Sequence, residues 1–186
     1  MVEISNYLYE KGLVPGKSGN ISMKFKKDEF KRVAVTPSGL SLKSLEEKDI
    51  LIVDMNGTLI YNEENKPTSE LIMHLKIYEE REDISAIVHT HSPIATGFAF
   101  AGEKINRIEG FGPITEKYIP FVNYYPPGTV ELADAVSKGL KNHDVVILKE
   151  HGLVALGENL DEATLLAEFI EESAKIQFVK QVLSDE

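Results

Sequence analysis

Apolar and polar positions alternate along this chain with periods that change every ten to twenty residues. Ile4, Leu8 and Leu13 recur at roughly helical spacing over residues 1–13, and Pro15-Gly16 closes that segment. Lys17-Ser18-Gly19-Asn20-Ile21-Ser22 reads as a small polar turn. Residues 32–36 and 50–54 are β-branched runs of strand length, with the turn Pro37-Ser38-Gly39 between them. Asn56-Gly57 is the strongest hairpin signal and joins the second of these strands to a third at Thr58-Leu59-Ile60. Pro67-Thr68-Ser69-Glu70 carries hydroxyl caps and a first-turn carboxylate, a helix start that Leu71, Leu75 and Tyr78 continue. A buried strand over 84–90 runs into His91-Ser92-Pro93, where another helix begins. Residues 103–128, with Pro113, Pro120, Pro126 and Pro127, are irregular apart from a short strand near 119–123. A capped amphipathic helix follows over 129–140, then a buried strand over 144–148. His151-Gly152 turns into Leu153-Val154-Ala155-Leu156, and a long amphipathic helix occupies 160–183.

Strands and helices intermix, while the Asn-Gly hairpin and the tight turn at 148–156 require antiparallel neighbours. The expected fold is α/β: a single domain over residues 1–186 with a central mixed, mainly antiparallel sheet flanked by helices in three α/β/α layers. No repeat, low-complexity segment or linker divides it.

Composition narrows the function. Among 186 residues, 42% hydrophobic and 27% charged is the balance of a folded globular chain. The net charge of -10 argues against broad nucleic-acid binding, which needs a basic face, but leaves room for a local pocket holding one phosphate. Cysteine is absent, so disulfides, thiolate metal sites and cysteine nucleophiles are excluded, and a metal would be held by His, Asp or Glu. The N-terminus has neither a basic n-region nor an apolar h-region, and no apolar run approaches the ~18 residues that span a bilayer, so the expectation is a cytoplasmic protein without a membrane partner.

Of the five histidines, His89-Thr90-His91 is the informative pair. Residues i and i+2 of a strand share a face, so two imidazoles leaving a strand end together can chelate one ion; ordinary strand-end histidines are the alternative. His151 also ends an apolar strand, beside Glu150 and followed by Gly152, and would complete a three-histidine set suited to Zn²⁺ or a related ion. Glu70, at a helix N-terminus, offers a fourth ligand or an acid/base group. His74, one turn further on the same helix, reads as a packing or supporting residue, with Glu70/His74 as a competing pair. His143, in a Lys-Asn-His-Asp turn, reads as solvated. Ser18-Gly19-Asn20, Thr36-Pro37-Ser38-Gly39 and Pro67-Thr68-Ser69 supply backbone N–H groups and hydroxyls of the kind that bind phosphate without a basic surface.

These motifs, in this order and together with Pro127-Gly128-Thr129 and His151-Gly152-Leu153, resemble the class II aldolase/adducin family over residues 10–180. The resemblance implies a metal site of His89, His91 and His151, usually zinc with manganese or cobalt as alternatives, and Glu70 as further ligand and catalytic group. It implies a phosphate pocket of Gly19, Asn20, Ser38, Gly39, Thr68 and Ser69, and a C4 homotetramer with active sites between subunits. The implied reaction is reversible cleavage of a ketose 1-phosphate, such as L-fuculose 1-phosphate, to dihydroxyacetone phosphate and an aldehyde. The metal would act as Lewis acid, and Glu70 would remove a C1 proton in the condensation direction.

Two departures bear on the proton donor. The family's aldolases carry a tyrosine about twenty residues after the H-x-H pair, where this chain has Glu109-Gly110-Phe111, and the given sequence lacks their tyrosine-bearing tail. Glu109, Tyr118, Tyr124 and Tyr125 are the candidates in their place. Rival readings within the same resemblance are a ribulose-5-phosphate 4-epimerase, a methylthioribulose-1-phosphate dehydratase and a non-catalytic adducin-like interaction domain. Glu70, where the epimerases carry Asp, favours the aldolase, and the complete ligand set argues against the non-catalytic domain.

Overall fold

Strand-period alternation sorts the core onto two sides of one sheet. In Val145–Leu148, residues Val145 and Ile147 join one buried cluster while Val146 and Leu148 join the other. The same division holds in Gly152–Gly157, where Leu153 and Ala155 face one way and Val154 and Leu156 the other. A strand buried on both faces needs an apolar residue at every position, which is why both segments read as continuous hydrophobic runs.

The computed structural model describes residues 1–62, 64–112, 114 and 116–184. Pro113, one of the prolines in the irregular stretch, lies outside the described residues. The chain runs α1 (Val2–Glu10), β1 (Asn20–Lys27), β2 (Phe30–Val35), β3 (Leu51–Asp54), β4 (Leu59–Tyr61), α2 (Leu71–Glu80), β5 (Ala86–Thr90), α3 (Pro93–Ala101), β6 (Phe121–Val122), α4 (Val130–Gly139), β7 (Val145–Leu148), β8 (Gly152–Gly157) and α5 (Leu160–Ser184). Two short 3₁₀ turns, Leu42–Ser44 and Glu47–Asp49, lie between β2 and β3.

Among the described residues, eight strands form one sheet in the order β4-β3-β2-β1-β5-β8-β7-β6. Every pairing is antiparallel except β6 on β7, so the mixed, mainly antiparallel sheet expected from the hairpins is present. Residues from α1, α3 and α5 build the cluster on one face, and residues from α2 and α4 build the other, giving three α/β/α layers. Buried Ala163, Ala167 and Ala174, with Ile170, line the inward stripe of α5; small side chains at helical spacing let it lie close to β5 and β8. Among the described residues no helix is long and apolar enough to cross a membrane.

β1 was not expected as a strand. The polar turn at 17–22 ends at Gly19, and Asn20 already pairs with His89 across the sheet. Ile21, Met23 and Phe25 alternate with Ser22, Lys24 and Lys26, but the lysine-rich end carries that alternation out into the exposed β1–β2 hairpin. Because β1 joins the β2–β4 half of the sheet to β5, it brings the hydroxyl turns beside the histidines.

Candidate metal centre and active site

Two strand ends meet at one point. His89 is the penultimate residue of β5, and His91 lies just past its end, where its backbone N–H donates to the Leu13 carbonyl at 3.0 Å. His151 occupies the turn from β7 to β8, and its N–H donates to the Leu148 carbonyl at 3.1 Å. That turn is tight enough to hold Glu150 at φ 58°, a left-handed conformation that a non-glycine side chain adopts at a cost. Gly152 follows because nothing larger fits: a Cβ there would lie 2.2 Å from the Thr90 carbonyl oxygen. Gly19 is fixed in the same way, with φ 74° and room for a Cβ only 2.8 Å from the His89 carbonyl oxygen and 2.5 Å from Val14 Cγ1.

The imidazoles of His89, His91 and His151 form a near-equilateral triangle with centroids 4.8, 4.9 and 5.0 Å apart. Glu70 faces it: Oε2 is 3.1 Å from His89 Nε2, and Oε1 is 3.5 Å from His151 Nε2. His89 Nδ1–H donates to the Leu153 carbonyl at 2.8 Å, which leaves Nε2 as the lone-pair nitrogen, 3.1 Å from His91 Nε2. Backbone carbonyl bonds of this kind orient histidine ligands in metal sites.

Burial, with the neighbouring His89 adding to it, pushes the His91 imidazole down to about 3 and that of His151 down to about 4, so both are neutral. Burial also disfavours charge on His89, but Glu70 outweighs it and raises that histidine. Burial acts against the Glu70 carboxylate as well, yet His89 beside it holds Glu70 well below the ordinary carboxylate range.

This donor set fits a divalent cation. Lone-pair nitrogens and a carboxylate converge with their ligand atoms within 4.8 Å of one another for the three histidines. Among the described residues, buried Glu70 Oε1 and His151 Nδ1 have no hydrogen-bond partner. Converging lone pairs and an orphaned carboxylate oxygen repel unless a cation sits among them.

The hydroxyl turns meet the same place. Thr68 N–H donates to the Thr36 carbonyl at 3.1 Å and Ser38 N–H to the Lys66 carbonyl at 2.8 Å, stitching turn 36–39 to turn 66–69. Ile21 N–H donates to Thr36 Oγ1 at 3.2 Å and brings in the turn ahead of β1. Gly19, Asn20, Ser38, Gly39, Thr68 and Ser69 all line one cavity of about 470 Å³ with Glu70, His91 and His151. That is the size of a small-molecule site.

Some residues differ from their expected roles. Glu70 is the N-cap residue of α2, and its side chain makes no capping bond but turns into the cavity. Asn20 lines the cavity, but its amide is committed elsewhere, Nδ2 donating to Glu70 Oε2 at 2.9 Å and Oδ1 lying 2.5 Å from His74 Nε2. Glu109 is exposed in a turn and Tyr118 is bridged to Asn106; neither is among the cavity's lining residues. Lys17, Thr96, Phe100 and Glu150 also line the cavity, and sequence reading passed over them as site residues. Lys17 stands directly before Ser18-Gly19, and a cation adjoining a phosphate-type turn was the signal available.

The family model described as Class II Aldolase and Adducin N-terminal domain matches residues 1–178. The chain belongs to this family. An L-fuculose phosphate aldolase of Methanococcus vannielii is 43% identical over 178 residues, covering 96% of this chain and 93% of that one. A solved L-fuculose 1-phosphate aldolase superposes with a TM-score of 0.89 at 32% identity, covering 98% of this chain and 84% of that one. A 3-oxo-tetronate 4-phosphate decarboxylase of Haemophilus influenzae is also similar, 32% identical over 187 residues, covering 97% of this chain and 86% of that one. Relatives similar to this chain thus carry both aldolase and decarboxylase names.

Proposed function

We propose that this chain is a metal-dependent aldolase that reversibly cleaves a ketose 1-phosphate of the L-fuculose 1-phosphate type into dihydroxyacetone phosphate and a small aldehyde. The observation that carries this reading is that His91, His151 and Glu70 share one cavity of about 470 Å³ with the hydroxyl turns, with His89 buried directly behind as the third member of the histidine cluster. One end suits a phosphate, and the other suits an ion with a carboxylate beside it.

His89, His91 and His151 would hold the ion, Zn²⁺ in our reading, with Glu70 as a further ligand. When bound, such an ion supplies Lewis-acid polarisation of the ketose carbonyl and adjoining hydroxyl and offsets negative charge developing there. Gly19, Gly39 and Ser69 offer backbone N–H groups and Ser38, Thr68 and Ser69 offer hydroxyls to the phosphate, with Lys17 adding charge attraction. Asn20 lines that wall but does not bind the phosphate itself, because its backbone pairs with β5 and its side chain is bonded to Glu70 and His74. Anchoring the phosphate fixes the reacting carbons against Glu70 and the ion. In condensation Glu70 removes a proton from C1 of dihydroxyacetone phosphate, leaving an enediolate that attacks the aldehyde; in cleavage it returns that proton.

We assign the aldehyde end to Thr96, Phe100 and Glu150, which line the cavity outside the hydroxyl turns. Glu150 places an anion there, and an anion disfavours a carboxylate-bearing substrate such as a 3-oxo-tetronate 4-phosphate. That supports the aldolase over the decarboxylase. We further propose a cytoplasmic homotetramer. Phe100 at the end of α3, and Phe178, Val179, Val182 and Leu183 on α5, leave apolar area exposed for contact between copies. The donor to the aldehyde oxygen would then come from the segment after α3 of a neighbouring copy, Glu109 first and Tyr118 second.

The test is a substrate panel on Zn²⁺-loaded protein: L-fuculose 1-phosphate, ribulose 5-phosphate, methylthioribulose 1-phosphate and a 3-oxo-tetronate 4-phosphate. Dihydroxyacetone phosphate release from the first, without epimerised product, dehydration or CO₂ from the others, is expected. CO₂ release as the dominant reaction would overturn the assignment.

A further inference from the structure

Behind Glu70, on the side away from the cavity, lies a row of buried polar side chains that aldol chemistry does not use. Asn20 Nδ2 donates to Glu70 Oε2 at 2.9 Å, and Asn20 Oδ1 is 2.5 Å from His74 Nε2. His74 Nδ1 is 2.7 Å from Ser22 Oγ, which is 2.9 Å from the Tyr78 hydroxyl. His74 and Ser22 are fully buried and Tyr78 is 1% exposed, so water has no access to break the row.

Chemistry at one end fixes the direction of every bond in it. A carboxylate only accepts, so the Asn20 NH₂ must face Glu70; the flipped amide would set two oxygens against each other at 2.9 Å. Asn20 Oδ1 then requires a donor, which makes His74 Nε2 the protonated nitrogen. His74 Nδ1 becomes an acceptor, and Ser22 Oγ–H is the donor facing it. Ser22 Oγ in turn accepts from the Tyr78 hydroxyl. That hydroxyl's other acceptor, the Ser85 carbonyl, is more distant at 3.4 Å.

The fold builds this row from two faces that the sequence keeps far apart. Asn20 and Ser22 are i and i+2 on β1 and point to the α2 side of the sheet, while Ile21 between them joins the opposite cluster. His74 and Tyr78 are i and i+4 on α2, and Glu70 is its N-cap residue, so one element and its cap carry the carboxylate and the residues that brace it.

We propose that Tyr78, Ser22, His74 and Asn20 form a one-way hydrogen-bond chain that orients the Glu70 carboxylate, with His74, fixed as its neutral Nε2–H tautomer, as the positioning residue. The catalytic consequence rests on the reading of Glu70 as the proton-transferring group; the direction of the chain does not. Without the His74 donor, Asn20 Oδ1 is left buried and unpaired, and the amide is free to turn its oxygen toward Glu70. Glu70 then loses the bond that holds Oε2 in place.

The experiment has a structural arm and a kinetic arm. ¹⁵N-resolved spectra of His74 in the metal-loaded wild-type protein are expected to show a protonated Nε2 and a bare Nδ1; a protonated Nδ1 would overturn the chain whatever the enzyme's activity. In the kinetic arm, His74→Leu is expected to lower kcat for ketose 1-phosphate cleavage about 10- to 100-fold with KM and bound metal little changed, the range seen when supporting bonds behind an active-site group are removed. His74→Gln, whose amide can still donate toward Asn20, is expected to recover most of that loss. Equal losses in the two variants, or a rise in KM at unchanged kcat, would overturn the positioning role. If the wild-type protein cleaves no ketose 1-phosphate, the aldolase reading fails, and the His74 tautomer still decides whether the chain runs as described.

Discussion

Replacing Gly152 with alanine tests how closely the strands bearing the histidines must approach. Its backbone conformation is ordinary, so the perturbation is purely one of space. The new Cβ would stand 2.2 Å from the Thr90 carbonyl oxygen, 3.2 Å from its carbon and 3.4 Å from His89 Cε1. Real Cβ contacts essentially never fall below 3.0 Å, so β5 and β8 must separate locally by about 0.8 Å. The clashing oxygen belongs to the backbone, which cannot move aside as a flexible side chain could. The separation falls where Thr90 pairs with Leu153, and it stretches the 2.8 Å bond from His89 Nδ1 to the Leu153 carbonyl. Overpacking of this kind costs about 1–3 kcal/mol, and loss of the histidine bond adds about 1 kcal/mol. For a chain of this size that corresponds to a fall in Tm of about 5–15 °C. A displaced His89 also weakens metal binding. Thermal unfolding in chelator reads the first effect, and zinc competition against a chromophoric chelator reads the second. A G152A protein that melts with the wild type and holds zinc as tightly would refute the close-approach reasoning.

Other outcomes follow from the same geometry. His91→Ala is expected to abolish tight metal binding and activity together, with zinc content measured by atomic emission; full zinc content in the variant would remove His91 from the ligand set. Glu171 of α5 accepts from the Ile94 and Ala95 N–H groups at 3.0 and 2.9 Å, anchoring the start of α3 just after His91. Its replacement by alanine is expected to cost about 1–3 kcal/mol in urea unfolding, because one buried and one partly buried donor lose a charged acceptor. His74 is pushed down to about 3 by burial. The unfolded chain therefore binds the extra proton below about pH 6.5, so stability from this group is complete above that pH and is lost as pH falls, by up to about 1.4 kcal/mol per unit. The metal-free wild type is expected to lose more stability than His74→Gln between pH 7 and 5; parallel losses would contradict the burial argument.

The long apolar runs were legible because burial on both faces leaves them no other pattern, so β5, β7 and β8 stood out, as did the Asn-Gly hairpin between β3 and β4. The three histidines were legible for a related reason: each sits where such a run stops, and strand ends in one sheet meet at one edge. β1 was hidden because glycine and hydroxyl residues announce a turn at its start and lysines blur its end. The chain behind Glu70 was hidden for a different reason. Asn20 and Ser22 share a strand face and His74 and Tyr78 share a helix face, but local periodicity does not reveal that these faces meet across more than fifty residues of sequence. Lys17, Thr96, Phe100 and Glu150 join the cavity only through the tertiary path of their loops and helix ends, which no local spacing encodes.

The central claim is that His89, His91, His151 and Glu70 act together on a substrate anchored by its phosphate. Exchange of the C1 proton of dihydroxyacetone phosphate in deuterated water, without aldehyde, isolates that step and can be followed by ¹H NMR. The expected result is exchange in zinc-loaded wild-type protein, none after chelation, recovery on reloading, and loss of most exchange in Glu70→Gln that still binds dihydroxyacetone phosphate. Exchange that continues at the same rate in the metal-free protein, or in Glu70→Gln, would contradict it.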